Sequence, residues 1–537
     1  MTYFYLLIAF VVGGLFYLFR QKSVISLTIT DLAVFSFLFY SFLHTGIVQA
    51  FRCDPLVWFK WSAVALCYLF FRRLKKPRVV LYGIVLYGLF QAALAVGQSL
   101  SLFQSAHPVF SITGAIGHPG PLGGFLSIAS VCGMGMFRAV PPQQRVHRLL
   151  LGIAALVLFA ALLLTDSRAA FLSLPAGCLV VWGDRMGEMF KKHKIVTFLT
   201  VSLTIVLFCC SLYLYRPASA DARILIWRVS AEMIAEKPLF GRGVGAFDRE
   251  YMLYQAAYFD RYPQSSLAMV ADNAAYPYNE WIHAAMELGT VGGCLLLAVF
   301  IAGWAFRSSG KVNRTLKAGL TSFVVFSCFS YPVEVVELLL LPAVLLGTLP
   351  GKPAYALAVH RRMKPAGTVL LAGILFLSIA GISVYRKMYG EVNQLAASGV
   401  PVPTPCCDRY FPVFKYNACF NMSYLPLLCR LPCHPDHWEK IQCLFPSSEA
   451  FCLLGEAGEC CGQDDRAEQL YRQAASMVPG RILPNYRLWQ LYVKRGDCER
   501  ARAMAQKILS QALKVENTFT LQVKGEMKRY LELRVKN

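Results

Sequence analysis

The residues of this chain best suited to chemistry are arginines, glycines and a few polar side chains in one long loop. That loop runs polar from Arg216 to Ile282, inside a region that up to about residue 385 is otherwise almost all apolar runs. It opens with Arg223-Ile-Leu-Ile-Trp-Arg228, continues through Pro238-Leu-Phe-Gly-Arg-Gly-Val-Gly-Ala-Phe247, and closes with Tyr278-Asn-Glu-Trp-Ile-His-Ala-Ala-Met-Glu-Leu288. Two shorter segments belong with it. Gly114-Ala-Ile-Gly-His-Pro-Gly-Pro-Leu-Gly-Gly124 is a Gly/Pro-rich turn entering an apolar run, and Leu164-Thr-Asp-Ser-Arg-Ala-Ala170 sets Arg168 at a run boundary. Glycine lets backbone N–H groups approach an anion, and a helix N-terminus favours negative charge. An arginine at the edge of hydrocarbon is costly without a partner or a task, and its planar fork of donors suits a phosphate. The chemistry these residue types fit is the binding of a phosphate-bearing group. His283 shares a helical stripe with Asn279 and Glu287, at i, i+4 and i+8.

The surrounding elements are those of a membrane protein. The chain has 537 residues, 56% of them hydrophobic and 16% charged, with mean hydropathy +0.48. A soluble domain could not hide that much apolar surface. Twelve spans are expected, at about 3–19, 28–50, 55–71, 79–103, 121–137, 149–165, 168–183, 195–215, 283–306, 318–331, 333–350 and 366–385. Most are long enough to cross about 30 Å of hydrocarbon. The pair 318–331 and 333–350 is weaker and also reads as re-entrant. The net charge of +22 does not indicate nucleic acid, because many of the Lys and Arg sit in short clusters between apolar runs. With twelve spans every such cluster falls on one side, assigned as cytoplasm. The loop 216–282 and the C-terminal region then share the opposite side.

After Tyr385 the composition becomes that of a soluble domain. A spacing of 34 relates Gly462 to Gly496, Ala467 to Ala501 and Tyr471 to Ala505, the pattern of tetratricopeptide-like paired helices. The expected organisation is a membrane domain over 1–385, a Cys-rich connector over 386–446, and helical repeats over 447–537. Ten cysteines lie between Cys406 and Cys498. In a non-cytoplasmic segment that density suggests disulfides. Cys429-x3-Cys433 followed by His434 is a weak zinc pattern, and no metal site is expected.

The ordered blocks resemble those of the O-antigen ligase/polymerase superfamily of bacterial envelope glycosyltransferases. The resemblance covers roughly 110–310 in motif detail. It implies an all-α, GT-C-like membrane fold and transfer of a glycan from undecaprenyl diphosphate, on the periplasmic face of the inner membrane. The acceptor would be lipid A-core in a ligase, a growing polysaccharide in a polymerase, or a protein hydroxyl in an oligosaccharyltransferase. It implies catalytic roles for Arg168, Arg223, Tyr278, Asn279 and Glu280. It implies substrate contacts for His118, Trp227, Arg228, Gly241, Gly243 and His283, with no cofactor. No Asp-x-Asp pair stands out on the outer side, in agreement with a metal-independent reaction. One position departs from the family: Tyr278 stands where most members have the His held to activate the acceptor hydroxyl. Tyrosine, with a reference pKa near 10, is a poor base at neutral pH. The other classes in contention are a transporter or flippase, which predicts repeat symmetry not visible here, and a catalytically inactive envelope scaffold built on the repeats.

Overall fold

The computed structural model describes residues 5–12, 24–48, 53–74, 76–192, 195, 202–203, 207, 210–305, 310–351, 353–358, 363–398, 414–417, 425 and 445–533. Apolar side chains at helical spacing give the membrane part its elements. These are α1 (Ile29–Leu43), α2 (Leu56–Leu74), α3 (Pro77–Ser99), α4 (Pro119–Ala139), α5 (Arg145–Leu164) and α6 (Arg168–Val181). The short amphipathic α7 (Gly183–Lys192) follows α6. The loop region contributes α8 (Pro217–Glu236) and α9 (Ala246–Arg261). The membrane part then resumes with α10 (Glu280–Ala305), α11 (Lys311–Ser327), α12 (Val336–Thr348) and α13 (Met363–Ser398).

Among the described residues, six helices are long and apolar enough to cross a membrane: Ile29–Ile47, Pro77–Ser99, Pro119–Ala139, Arg145–Leu164, Glu280–Ala305 and Val369–Met388. Expected spans 55–71, 168–183, 318–331 and 333–350 also coincide with helices, two of them short and apolar. At 13 residues, α12 reaches about 20 Å and is shorter than the hydrocarbon is thick. The runs expected at 3–19 and 195–215 lie largely outside the described residues. Among the described residues the all-α expectation has one exception, a two-stranded antiparallel sheet pairing β1 (Val24–Thr28) with β2 (Pro353–Ala358). Thr28 ends β1 and caps α1 by accepting from the Asp31 N–H at 3.2 Å.

Helix α4 is buried along most of its length, packed among α3, α5, α6 and α11. Polar contact within this apolar bundle is paired: Ser127 Oγ lies 2.7 Å from Ser173 and 3.2 Å from Ser322. Lateral order at one end comes from Asp31, which accepts from the Tyr68 hydroxyl at 2.5 Å and from Arg72 Nε at 3.0 Å.

Helices α14 (Ser448–Cys460), α15 (Asp464–Met477), α16 (Leu483–Lys494), α17 (Cys498–Ser510) and α18 (Thr518–Leu533) form the C-terminal array. Gly462 and Gly496 each turn a helical hairpin at φ +72°. That is a left-handed conformation only glycine takes without strain. Ala467, Tyr471, Ala501 and Ala505 are all fully buried. Cys461 is disulfide-bonded, whereas Cys452, Cys460 and Cys498 are free thiols. Cys406, Cys407, Cys419, Cys429, Cys433, Cys443 and His434 lie outside the described residues.

The array is docked on the loop. Gln255 donates to the Met477 carbonyl at 2.7 Å, and Ser476 donates to Asp260 at 2.7 Å. Asp272 accepts from Arg481 at 2.7 Å and from Lys514 at 2.8 Å, and Asn273 pairs with Glu449. Asp272, the one carboxylate between Asp260 and Glu280, is therefore a strut that ties loop to array.

Candidate functional site

The Arg-x-x-x-Trp spacing on α8 puts both side chains on one helix face. Trp227 Nε1 donates to the Pro277 carbonyl at 2.8 Å, which fixes the backbone just before Tyr278. One turn earlier, the Arg223 guanidinium sits 5.4 Å from the centre of the Tyr278 ring. Tyr278 is held at φ +52°, in the left-handed region. Non-glycine residues are uncommon there, with Asn, Asp and His several-fold enriched. Its ring meets Tyr331 edge-on at 5.4 Å, and Tyr331 stacks on Tyr276 at 4.5 Å. His118 completes the aromatic wall at 6.0 Å from Tyr331 while capping α4 through Nδ1, which accepts from the Gly120 N–H at 3.2 Å.

Arg223 makes no hydrogen bond or ion pair among the described residues. Enclosure, and then the neighbouring positive charge of Arg168, draw its pKa down from the usual arginine range. Burial raises the Tyr278 hydroxyl above its ordinary value even with Arg223 beside it, so this phenol is not a base at neutral pH. Arg168 is more committed. It donates to the Leu212 and Arg216 carbonyls at 3.1 and 3.0 Å and to Ser219 Oγ at 2.8 Å. Two of a guanidinium's five donors remain.

The other expected residues divide. Asn279 Oδ1 accepts from the N–H groups of Trp281 and Ile282 at 3.0 and 3.1 Å, which makes it the N-cap of α10. Glu280 and His283 line a different space, described below. Arg228 is exposed and donates to the Tyr258 hydroxyl at 3.2 Å.

The glycine block is a backbone junction. Gly289 breaks α10 at φ +71°, ψ −177°. The loop 237–243 runs alongside the break and takes up the freed groups. Thr290 N donates to the Pro238 carbonyl at 2.8 Å, Arg242 N to Met286 at 2.9 Å and Gly243 N to Glu287 at 2.8 Å. Gly241 N is likewise spent, on the Lys237 carbonyl at 3.1 Å. The N–H groups of Gly241 and Gly243 thus serve the junction and are not free to cradle an anion. His44 and Tyr40 brace it from α1 and its extension, through the Phe240 carbonyl at 2.5 Å and the Leu288 carbonyl at 2.7 Å.

Beside this cluster lies a cavity of about 570 Å³. Its outer end carries His283, whose two ring nitrogens lie 3.3 Å from Glu280 and 3.2 Å from Glu287. Glu280 also accepts from the Val333 N–H at 2.9 Å, and Glu287 from the Gly245 N–H at 2.6 Å. Asp248, Glu334 and Lys60 face the same space, the last two paired at 2.9 Å. Sequence reasoning passed over Asp248, Glu334 and Tyr331. Asp248 follows the glycine block directly. Tyr331 and Glu334 flank Pro332 between two weak apolar runs, a Pro-broken turn that marks a loop at the membrane face.

Desolvation, reinforced by Glu334 and Glu287, pushes the Asp248 carboxyl up to about 7. An acid whose folded pKa is raised binds its proton more tightly folded than unfolded. Its contribution is fully present below about 3.8 and is lost as pH rises through about 7. Thermal unfolding of the detergent-solubilised protein is therefore expected to shift to lower temperature between pH 5 and pH 8. Asp248→Asn is expected to flatten that slope and to be the more stable form at pH 8. An unchanged slope in this variant would refute the assignment.

Comparison with known proteins adds to this geometry. Residues 153–297 match the family model described as O-Antigen ligase. Over 198 residues the chain is 27% identical to a Rickettsia conorii protein named "Putative polysaccharide ligase"; the alignment covers 34% of this chain and 43% of that relative. The chain thus spans less than half the length of the curated relative it matches.

Proposed function

We propose, from the match of residues 153–297 to the O-Antigen ligase family model, that the chain transfers a glycan from undecaprenyl diphosphate to an acceptor hydroxyl. The setting is the outer face of the bacterial inner membrane, with the loop 216–282 and the C-terminal array in the periplasm. The observation that carries this reading is Arg223, an enclosed guanidinium with no hydrogen-bond or ion-pair partner among the described residues, walled by tyrosines beside Arg168. Holding two cations close together is unfavourable until an anion joins them. A diphosphate does so, and its charge grows as the glycosidic bond breaks.

In the reaction, a bond forms from the acceptor oxygen to the anomeric carbon. The bond from that carbon to the diphosphate oxygen breaks, and its electron pair leaves with the diphosphate. The acceptor's proton passes to solvent or to the departing anion. Arg223 carries the diphosphate, with the spare donors of Arg168. Tyr278 orients the acceptor without taking its proton. Asn279 acts by fixing the start of α10. We read the C-terminal hairpins as tetratricopeptide-like repeats whose first duty is to brace the loop. A protein partner would use the face left over.

Deleting the gene tests the acceptor. Accumulated polyprenyl-linked glycan without attached product marks a ligase, and a shortened ladder marks a polymerase. Altered glycoproteins with unchanged surface glycan mark a protein oligosaccharyltransferase. No change in any of these would overturn the transferase reading. At Tyr278, His is expected to restore or exceed wild-type transfer, because it suits the left-handed backbone and adds a base. Tyr278→Phe should lose roughly tenfold, in line with one removed hydrogen bond. Full activity of Tyr278→Ala would remove the position from the site.

A further inference from the structure

The cavity beside the arginine cluster is large enough for a ligand of moderate size, and it has two chemically different ends. Its inner end lies between the membrane helices and is lined by Phe37, Leu38, Trp61, Phe300, Phe323 and Leu346 from α1, α2, α10, α11 and α12. Its outer end is acidic and lies under the C-terminal region, where Asn417, Phe445, Ser447 and Glu449 form the roof.

Most of the carboxylates there are satisfied by the protein. Glu280 and Glu287 hold backbone N–H groups and His283; Glu334 holds Lys60. Asp54 accepts from Leu56 N at 2.9 Å and from Asn417 at 2.6 Å. Asp248 is different. Its side chain is open to the cavity and has no hydrogen-bond partner among the described residues. Among the described residues, Lys60, Arg249 and His283 are the basic side chains that line this cavity, against six carboxylates. A phosphorylated head would meet net negative charge there, whereas an uncharged hydroxyl would find an acceptor waiting.

We propose that this cavity is the acceptor site of the transfer reaction. It takes an amphiphile with an apolar chain and an unphosphorylated, hydroxyl-bearing head, and Asp248 receives the hydrogen bond of a head-group hydroxyl. The proposal rests on the transferase reading above and adds the acceptor class to it. Tyr276 links the two sites, lining the cavity on one side and stacking on Tyr331, the neighbour of Tyr278 and so of Arg223. Donor and acceptor thereby meet across one aromatic wall, with opposite charge on its two sides.

The test uses the full chain in lipid nanodiscs and an alkyl glucoside bearing a diazirine at the end of its chain. The same chain with a phosphate head serves as control, and labelled peptides are mapped by mass spectrometry. Labelling is expected on the segments of Phe37, Trp61 and Leu346, competed by unlabelled alkyl glucoside and not by alkyl phosphate. At pH 8, where Asp248 is ionised, Asp248→Asn should weaken that labelling about tenfold, as expected when a charge-assisted hydrogen bond becomes a neutral one. Leu346→Trp should abolish it by filling the inner end. Both variants should still retain polyprenyl diphosphate, which shows that they are folded.

Equal labelling by the phosphate probe, labels confined to lipid-facing surfaces, or an indifferent Asp248→Asn would each overturn the proposal. So would an alkylammonium that displaces the glucoside, since it would make this a cation site. Loss of diphosphate binding in wild type with intact glucoside labelling would instead strike the transferase reading.

Discussion

Arg223→Ala is expected to lower glycan transfer by roughly 100-fold or more, the scale seen when one fixed donor to a developing anion is removed. The reason is local. Arg223 sits in an aromatic wall and forms no ion pair among the described residues, so folding bears the cost of enclosing its charge and recovers only a cation–π contact with Tyr278. A lysine keeps the charge but loses the fork, so Arg223→Lys should remain at least about tenfold impaired. Arg168→Ala should differ in kind. Its three hydrogen bonds hold the Leu212–Ser219 segment in place, so its loss should reduce folded yield as well as turnover. The measurement is transfer from a purified polyprenyl-diphosphate glycan, normalised to membrane-inserted protein. Arg223→Ala within threefold of wild type would remove it from the diphosphate site.

How much of this was legible beforehand depended on distance along the chain. Arg223 and Trp227 are one helical turn apart, and their joint hold on Tyr278 and Pro277 follows the spacing that the sequence displays. The N-cap role of Asn279 is equally local, yet the resemblance had assigned the residue to chemistry, and nothing in a motif separates a cap from a catalyst. Gly241 and Gly243 carried an expected substrate contact from the resemblance, and nothing in the sequence tied them to Gly289. Their partners turned out to be each other's backbones, about 45 residues apart in sequence. Tyr331, Asp248 and Glu334 reach the site from three separate segments, and no periodicity links them. The docking of the C-terminal array was invisible for the same reason. Asp272 looked like a lone loop carboxylate until Arg481 and Lys514 arrived from more than 200 residues away.

That junction gives the second large effect. Gly289→Ala is expected to leave little correctly folded protein, and none with transfer activity. The conformation at φ +71°, ψ −177° is open essentially to glycine alone, and forcing another residue into it costs on the order of 1–3 kcal/mol. Space forbids it as well. An added Cβ would lie 2.1 Å from the Leu239 carbonyl oxygen and 2.4 Å from its carbon, backbone atoms that no rotamer change can move. Gly241 meets the mirror-image constraint, its Cβ falling 2.5 Å from the Glu287 carbonyl oxygen and from Gly289 N. Separating the two backbones would break the hydrogen bonds that satisfy the interrupted turn of α10, and a broken helix at a membrane face cannot leave those groups unpaired cheaply. It would also move Glu287, and with it His283 and the Gly245 N–H, at the acidic end of the cavity. Gly293→Ala is the control, because its Cβ would have nothing nearer than 4.0 Å. Limited proteolysis and thermal unfolding of the two variants should separate cleanly. If Gly289→Ala proved as stable as Gly293→Ala, the backbone junction would not be what holds the loop in place.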